Sequence, residues 1–459
     1  MSSPSEELLA LGTPMLARFP FSSDKKSFNH GGWGAYPNIV RDATRQFQAQ
    51  FESHPDIFVR FSQPAIHTEA QENVAKVCGV SSNDCVFVKN TTTGAATVLH
   101  NLDYAEGDVI VYFSTTYGAF QKMITHLTEI TPVQGWKIEY ELPISYEELV
   151  RKFTDAIQQI RSQGRNPRIA IFEMVVSIPA FRFPFEKLSE VCRSENILSL
   201  IDGAHGLGAI PIDLKQLRPD FFVGECHKWL YVPRSCAVLY VNPAHQHLMH
   251  TTIPTSWGYI NTDGSQVLLP WSISTESTTN SKFQTLFRYV STHDSTPILC
   301  IPTAVGFRQQ CGGEARIYQY LETLANEGAD IIATTLATEV LQEPNLKPGE
   351  VSQYRRCALA TVRLPLAIDG YDCKESSPYA ALSPTEVRDT INYFGERLAN
   401  DYGTWIPIFP YGGWLWVRLS AQIYLERKDF ELLAVWLKAL CEEVGTRQPR
   451  TRSGPSLKF

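Results

Sequence analysis

The chain predicts an α/β fold: a large domain on a mainly parallel seven-stranded sheet, and a smaller α+β domain towards the C-terminus. Three observations carry this expectation. Short β-branched runs alternate with helical stretches between about residues 85 and 245, the pattern of a parallel sheet covered on both faces. After about residue 300 the text changes to long amphipathic helices with fewer strands. A length of 459 residues also exceeds what one compact core holds.

Taken in order, residues 1–65 read as an arm and a helix that join the small domain. Residues 66–300 form the large, ligand-binding domain. Its strands are the runs CVFV (85–88), DVIVYF (108–113), RIAIFEMVV (168–176), ILSLID (197–202), DFFV (220–223) and CAVLYV (236–241). Helical stretches such as SYEELVRKFTDAIQQIRSQ (145–163) lie between them. Residues 301–445 form the small domain, with a long amphipathic helix at 315–341 and a strand at 358–366. The turn-rich stretch 369–386 predicts a surface loop. Residues 446–459 are short, polar and basic, and predict a flexible tail. There is no internal repeat.

Composition narrows the function classes. Hydrophobic content of 44% and charged content of 19% are those of a globular protein. A net charge of −7 argues against nucleic acid as a partner, because phosphate binding wants a basic face. The ten cysteines are scattered without a Cys-x-x-Cys spacing, which predicts free buried thiols and no metal site. No basic stretch precedes an apolar block near the start, and no apolar run reaches membrane-spanning length. The expectation is a cytoplasmic protein with no membrane partner.

The candidate functional residues stand where strands run out into loops, the ligand-binding edge of an open α/β sheet. Asp202 closes ILSLID, and Lys228 follows DFFV 26 residues later. A carboxylate and a lysine so placed can hold two ends of one pyridoxal 5′-phosphate (PLP) ring. The carboxylate pairs with the ring nitrogen, and the amine forms a Schiff base with the aldehyde. Lys228 lies between His227 and Trp229, and such apolar surroundings favour the neutral, nucleophilic amine. Asn90, Thr91 and Thr92 fall at the mouth of the helix after CVFV, where free amides, hydroxyls and the helix dipole receive a phosphate. Plain helix capping is the alternative.

Tyr117, after DVIVYF, is placed to lie on the ring and exchange protons with a substrate, with a core tyrosine as the competing reading. Ser177 is expected on the ring hydroxyl, and Glu173 at the core edge. His205 is expected to reach the ring oxygen or to stack. Arg418, on an apolar strand, is costly unless it meets a carboxylate, from either a substrate or an internal salt bridge. The turn HGGWG (30–34) suggests a cover that brings His30 and Trp33 to the substrate. Thr292 is expected to reach a phosphate across a dimer interface.

In chain order, Asn29-His30-Gly31, Asn90-Thr91-Thr92, Asp202-Gly203-Ala204-His205, His227-Lys228 and Arg418-x-Ser420 resemble the class V aminotransferase family of fold type I PLP enzymes. The resemblance covers nearly the whole chain. Residues 182–188, 233–241, 253–259 and 418–426 resemble the isopenicillin N epimerase-like branch, with its fungal C–S lyases and loline-alkaloid enzymes. The resemblance implies that Lys228 carries the cofactor, Asp202 holds its ring nitrogen and Arg418 holds the substrate carboxylate. It also implies a cofactor-binding role for His227, and a homodimer with both subunits in each site. The implied reaction starts at the Cα of an α-amino acid, with Lys228 taking the proton. The carbanion then closes a pyrrolizidine ring in a Mannich step, with C–S cleavage of hercynylcysteine sulfoxide and transamination as alternatives. Departures fall on the substrate side, at Gly32-Trp33, Phe120, Ser291 and His293, which suits an enzyme of specialised fungal metabolism.

Overall fold

The computed structural model describes residues 8–261, 263, 265, 281–347, 349–371 and 377–446. Most of the expected tail, from residue 447 on, and residues 372–376 of the expected loop lie outside these. Seven strands form the large sheet: β1 Cys85–Val88, β2 Asp108–Phe113, β3 Gln134–Ile138, β4 Asn166–Glu173, β5 Leu198–Asp202, β6 Phe221–Glu225 and β7 Ala237–Val241. Their spatial order is β1-β7-β6-β5-β4-β2-β3. All pairings are parallel except those of β7, which runs antiparallel to both neighbours. The short link from β6 to β7 leaves no room for a crossover helix, so the chain must turn back.

The strand runs read from the sequence all appear. The strand missing from that reading is β3, whose residues QGWKI are mostly exposed. It sits at the sheet edge beside β2 alone, so it has no need of two apolar faces. Inner strands alternate between two cores: Val109, Val111 and Phe113 enter one, and Ile110 enters the other. Helix Tyr146–Ser162 starts where Ser145 accepts from the Glu148 amide. It buries Leu149, Phe153, Ile157 and Ile160 on one stripe.

The smaller sheet is antiparallel, with β8 Leu359–Ala367, β9 Ile408–Tyr411 and β10 Trp414–Ser420 in the order β8-β10-β9. Helices Gly313–Leu336 and Arg427–Gly445 pack on it. The N-terminal arm joins this part: Ser420 N–H donates to Phe28 O at 2.8 Å, and Gly12 N–H to Ile423 O at 2.7 Å. Lys26 adds an ion pair with buried Asp429. Helix Gln63–Cys78 carries the chain from the arm into the large sheet without a break.

Arg308 ties the two parts together. Its side chain is fully buried, and its guanidinium donates to Trp229 O at 2.6 Å and to Gly208 O at 3.0 Å. The same group forks onto Glu314 and lies over the Tyr231 ring. A buried ion pair that loses one member leaves an uncompensated charge. Arg308→Ala is therefore expected to cost about 3–5 kcal/mol in urea unfolding. A loss below about 1 kcal/mol, the range of a surface pair, would show that Arg308 is not the tie described.

Candidate active site

Because β4, β5 and β6 are parallel neighbours, their C-terminal ends meet at one edge, and each ends on an acid. Glu173 is in register with Asp202, and Glu225 closes the next strand. All three are buried, with relative exposures of 3, 5 and 5%. Lys228 sits in the single helical turn Cys226–Trp229 that follows β6. Burial penalises its ammonium and lowers its pKa, with Glu225 and Asp202 opposing. Burial, with Asp202 adding repulsion, pushes Glu173 up to about 8. Glu225 is raised to about 8 by burial, with Lys228 opposing. Asp202 is also raised by burial, against the Ala204 amide that donates to its Oδ1 at 2.8 Å.

His205 reports the state of the lysine. Trp229 Nε1–H donates to His205 Nδ1 at 3.4 Å, and His205 Nε2 faces Lys228 Nζ at 3.5 Å. An indole N–H only donates, so Nδ1 accepts and Nε2 of the neutral ring carries the proton. That N–H faces the Lys228 amine, whose ammonium form burial disfavours. The His205 pKa is held well below its ordinary value by burial and then by Lys228, which keeps the ring neutral.

The remaining predicted residues are placed as follows. Asn90 caps helix Thr91–Asn101 by accepting from Thr93 N–H at 2.7 Å, so the capping reading holds for its side chain. The buried Thr91 N–H donates to Glu225 Oε2 at 3.2 Å, and half-buried Thr92 is next on the first turn. Tyr117 is exposed at 49%, not a core residue, and its amide donates to Glu173 Oε1 at 2.8 Å. His227 is buried and lowered to about 4 by burial, its Nδ1 3.8 Å from Glu225 Oε2.

Arg418 lies on β10 at 4% exposure. It donates to Ser177 O at 3.1 Å, Ser177 Oγ at 3.0 Å and Asn29 Oδ1 at 2.6 Å. No carboxylate pairs with it among the described residues, and its Nε has no partner. Burial lowers its pKa to about 10. The internal salt bridge is thus not formed.

Four more predicted residues remain, and for His30 the structure corrects the expectation. Ser177, expected at a ring hydroxyl, gives its oxygen atoms to Arg418. His30, expected at the substrate, is 1% exposed with both ring nitrogens engaged, Nε2 with Lys228 O at 2.7 Å and Nδ1 with Tyr424 at 3.0 Å. It supports the lysine from behind, and Trp33 of the same turn points out at 74% exposure. The turn fits because Gly34 has φ +66°, and a Cβ there would lie 1.9 Å from His227 O. Thr292 is exposed and lines a pocket with His67, Lys89, Thr93 and Arg288, beside the first turn of helix Thr91–Asn101.

Two site residues were not singled out beforehand. Glu225 was legible in the run FVGECHK, since it ends the strand that leads to the lysine. Asn29, quoted only within a motif, anchors Arg418.

The family model for class V aminotransferases matches residues 37–259. The L-cysteine desulfhydrase-like protein lolT1 of Epichloe uncinata is 46% identical over 96% of this chain and 98% of its own. The chain belongs to the class V aminotransferase family. The hercynylcysteine sulfoxide lyase of Schizosaccharomyces pombe is 28% identical over 94% of this chain and 98% of its own. Among solved structures, a C-DES variant with glycine covalently linked to its PLP cofactor has a TM-score of 0.69 at 14% identity, covering 92% of this chain and 98% of its own. The fold is that of the fold type I PLP enzymes.

The cofactor of this family is PLP, and the site fits it. Glu173 Oε2, His227 Nδ1 and Arg418 Nε are buried polar atoms without hydrogen-bond partners among the described residues; the first two lie at this edge, and Arg418 reaches towards it from β10 through Ser177. Buried groups of this kind call for a bound partner. Asp202 and Lys228 flank the space, and the first turn of helix Thr91–Asn101 supplies amides.

The acid cluster gives a pH test on the apoprotein. A carboxyl whose folded pKa exceeds its unfolded one loses stability as pH rises from the ordinary carboxyl range to the raised value. Removing Lys228 removes the charge that opposes this for Glu225 and Asp202. Lys228→Ala is expected to lose stability more steeply than the parent between pH 5 and 8, by up to about 1.4 kcal/mol per pH unit per extra retained proton. Parallel urea-unfolding profiles would contradict the cluster.

Proposed function

We propose that the chain is a PLP-dependent enzyme that removes the α-proton of an amino-acid substrate, with Lys228 as the base. The observation that carries this reading is Arg418, a buried cation with no carboxylate of its own. Held by Ser177 and Asn29, it keeps donor capacity for a substrate α-carboxylate. Lys228 and His205 lie close enough for its charge to bear on both. Asp202 is the residue to hold the cofactor's ring nitrogen, and Thr91 and Thr92 its phosphate. When bound, the cofactor supplies an electron-withdrawing ring that accommodates the electron pair left on Cα. Lys228, whose ammonium form burial disfavours, accepts the Cα proton at Nζ as the free amine. His30 fixes the Lys228 carbonyl, so the amine swings from an immobile backbone. Tyr117, exposed at the mouth, is placed to give a proton to a leaving group.

In the finer reading Cα attacks an electrophilic carbon within the same molecule and closes a pyrrolizidine ring in a loline-like pathway. The similarity to lolT1 supports it. The second reading, loss of a β-sulfur group, is supported by that relative's description as L-cysteine desulfhydrase-like and by the similarity to the sulfoxide lyase. We further propose a homodimer that works in the cytoplasm, in which Thr292 reaches the phosphate bound by the partner.

Two assays divide the readings. Incubation with a cysteine-sulfoxide conjugate is expected to release no pyruvate, and an amino acid bearing a cyclic iminium is expected to give a bicyclic product by mass. Pyruvate release without cyclisation would transfer the assignment to the lyase. For either substrate Arg418→Gln is expected to raise KM by about 100-fold, the worth of a charge-assisted pair of roughly 2–3 kcal/mol. An unchanged KM would remove Arg418 from the substrate site.

A further inference from the structure

Glu225 occupies the place where the cofactor's phosphate would be received. Thr91 opens an 11-residue helix, and amides at such an end are anion receptors. Here the Thr91 amide is already taken by Glu225 Oε2, at 3.2 Å. The carboxyl is enclosed by the ends of β5 and β6 and by the helix mouth. Lys228 and Asp202 bear on it, His227 Nδ1 stands 3.8 Å from Oε2 without a partner, and the buried thiol of Cys226 follows in the chain. An ionised carboxylate and a phosphate dianion would compete for one amide and repel each other. A protonated carboxyl is instead a donor.

We propose that Glu225 is a phosphate-binding residue that works as the neutral acid. With the phosphate bound it carries its proton, taken up from solvent at alkaline pH and already present near neutrality, releases the Thr91 amide to the phosphate and donates its own O–H to a phosphate oxygen. Burial raises this carboxyl to about 8, so the proton is held near neutral pH and lost above it. Affinity for the phosphate therefore falls as pH rises, by up to tenfold per pH unit for one linked proton. The inference rests on the cofactor reading given above.

The test uses the full-length apoprotein and pyridoxine 5′-phosphate, which carries the phosphate and lacks the aldehyde that Lys228 would attack. Calorimetric titration between pH 6.5 and 9, in two buffers of different ionisation heat, reads both affinity and proton uptake. The parent protein is expected to bind about fivefold more weakly at pH 9 than at pH 8, with close to one proton taken up at the alkaline end. Glu225→Gln, which keeps size and a donor, is expected to lose that uptake and to bind more tightly than the parent at pH 9. The proposal is overturned if the parent takes up no proton, if both proteins share one pH profile, or if Glu225→Gln weakens binding equally at every pH. Adding PLP separates the two readings. An absorbance band near the visible edge with a pH-independent affinity sinks this inference alone, whereas no band and no binding in either protein sinks the cofactor reading.

Discussion

Three acids and one amine enclosed at the same edge of a parallel sheet constrain everything built around them. Glu173, Asp202 and Glu225 end neighbouring strands, and backbone pairing fixes the spacing of the first two. Buried charges without counterparts are too costly to keep. The chain meets that cost by protonation, with Glu173 and Glu225 both raised towards 8. Asp202 remains beside Lys228 with an amide on its oxygen. Neutral His205 and the lowered lysine follow from the same enclosure. Reactivity of the amine is thus a property of the sheet edge and not of the lysine alone.

Rigidity comes from distant parts of the chain. The turn 29–34 supplies His30 to the Lys228 carbonyl and Asn29 to Arg418, and β10 supplies Arg418 itself. Arg308 locks the loops at Gly208 and Trp229 onto the helices of the C-terminal part. Lys228 and Arg418 are thus held on separate elements, and one turn, 29–34, bonds to both.

Much of this was legible in the sequence because strand ends in an α/β sheet mark themselves. An apolar run that stops at Asp202, and another that leads to Lys228, give position and chemistry together. Arg418 stood out as a cation in an apolar strand. What stayed hidden had physical causes. Strand β3 is polar because it lies at an edge. Glu225 ends the strand before the lysine in plain view, but its role rests on burial and on the bond from the Thr91 amide, which only the folded chain brings together. His30 was drawn to the wrong partner, since sequence order places a residue at an edge without saying which neighbour its side chain meets.

The central claim is that the Lys228 amine, whose ammonium form this enclosure disfavours, is the group that joins the cofactor. Borohydride reduction of the protein with bound PLP at neutral pH, followed by proteolysis and mass spectrometry, tests it directly. The account predicts a single pyridoxyl adduct on the peptide that contains Lys228. An adduct confined to other lysines, or none at all, would contradict it.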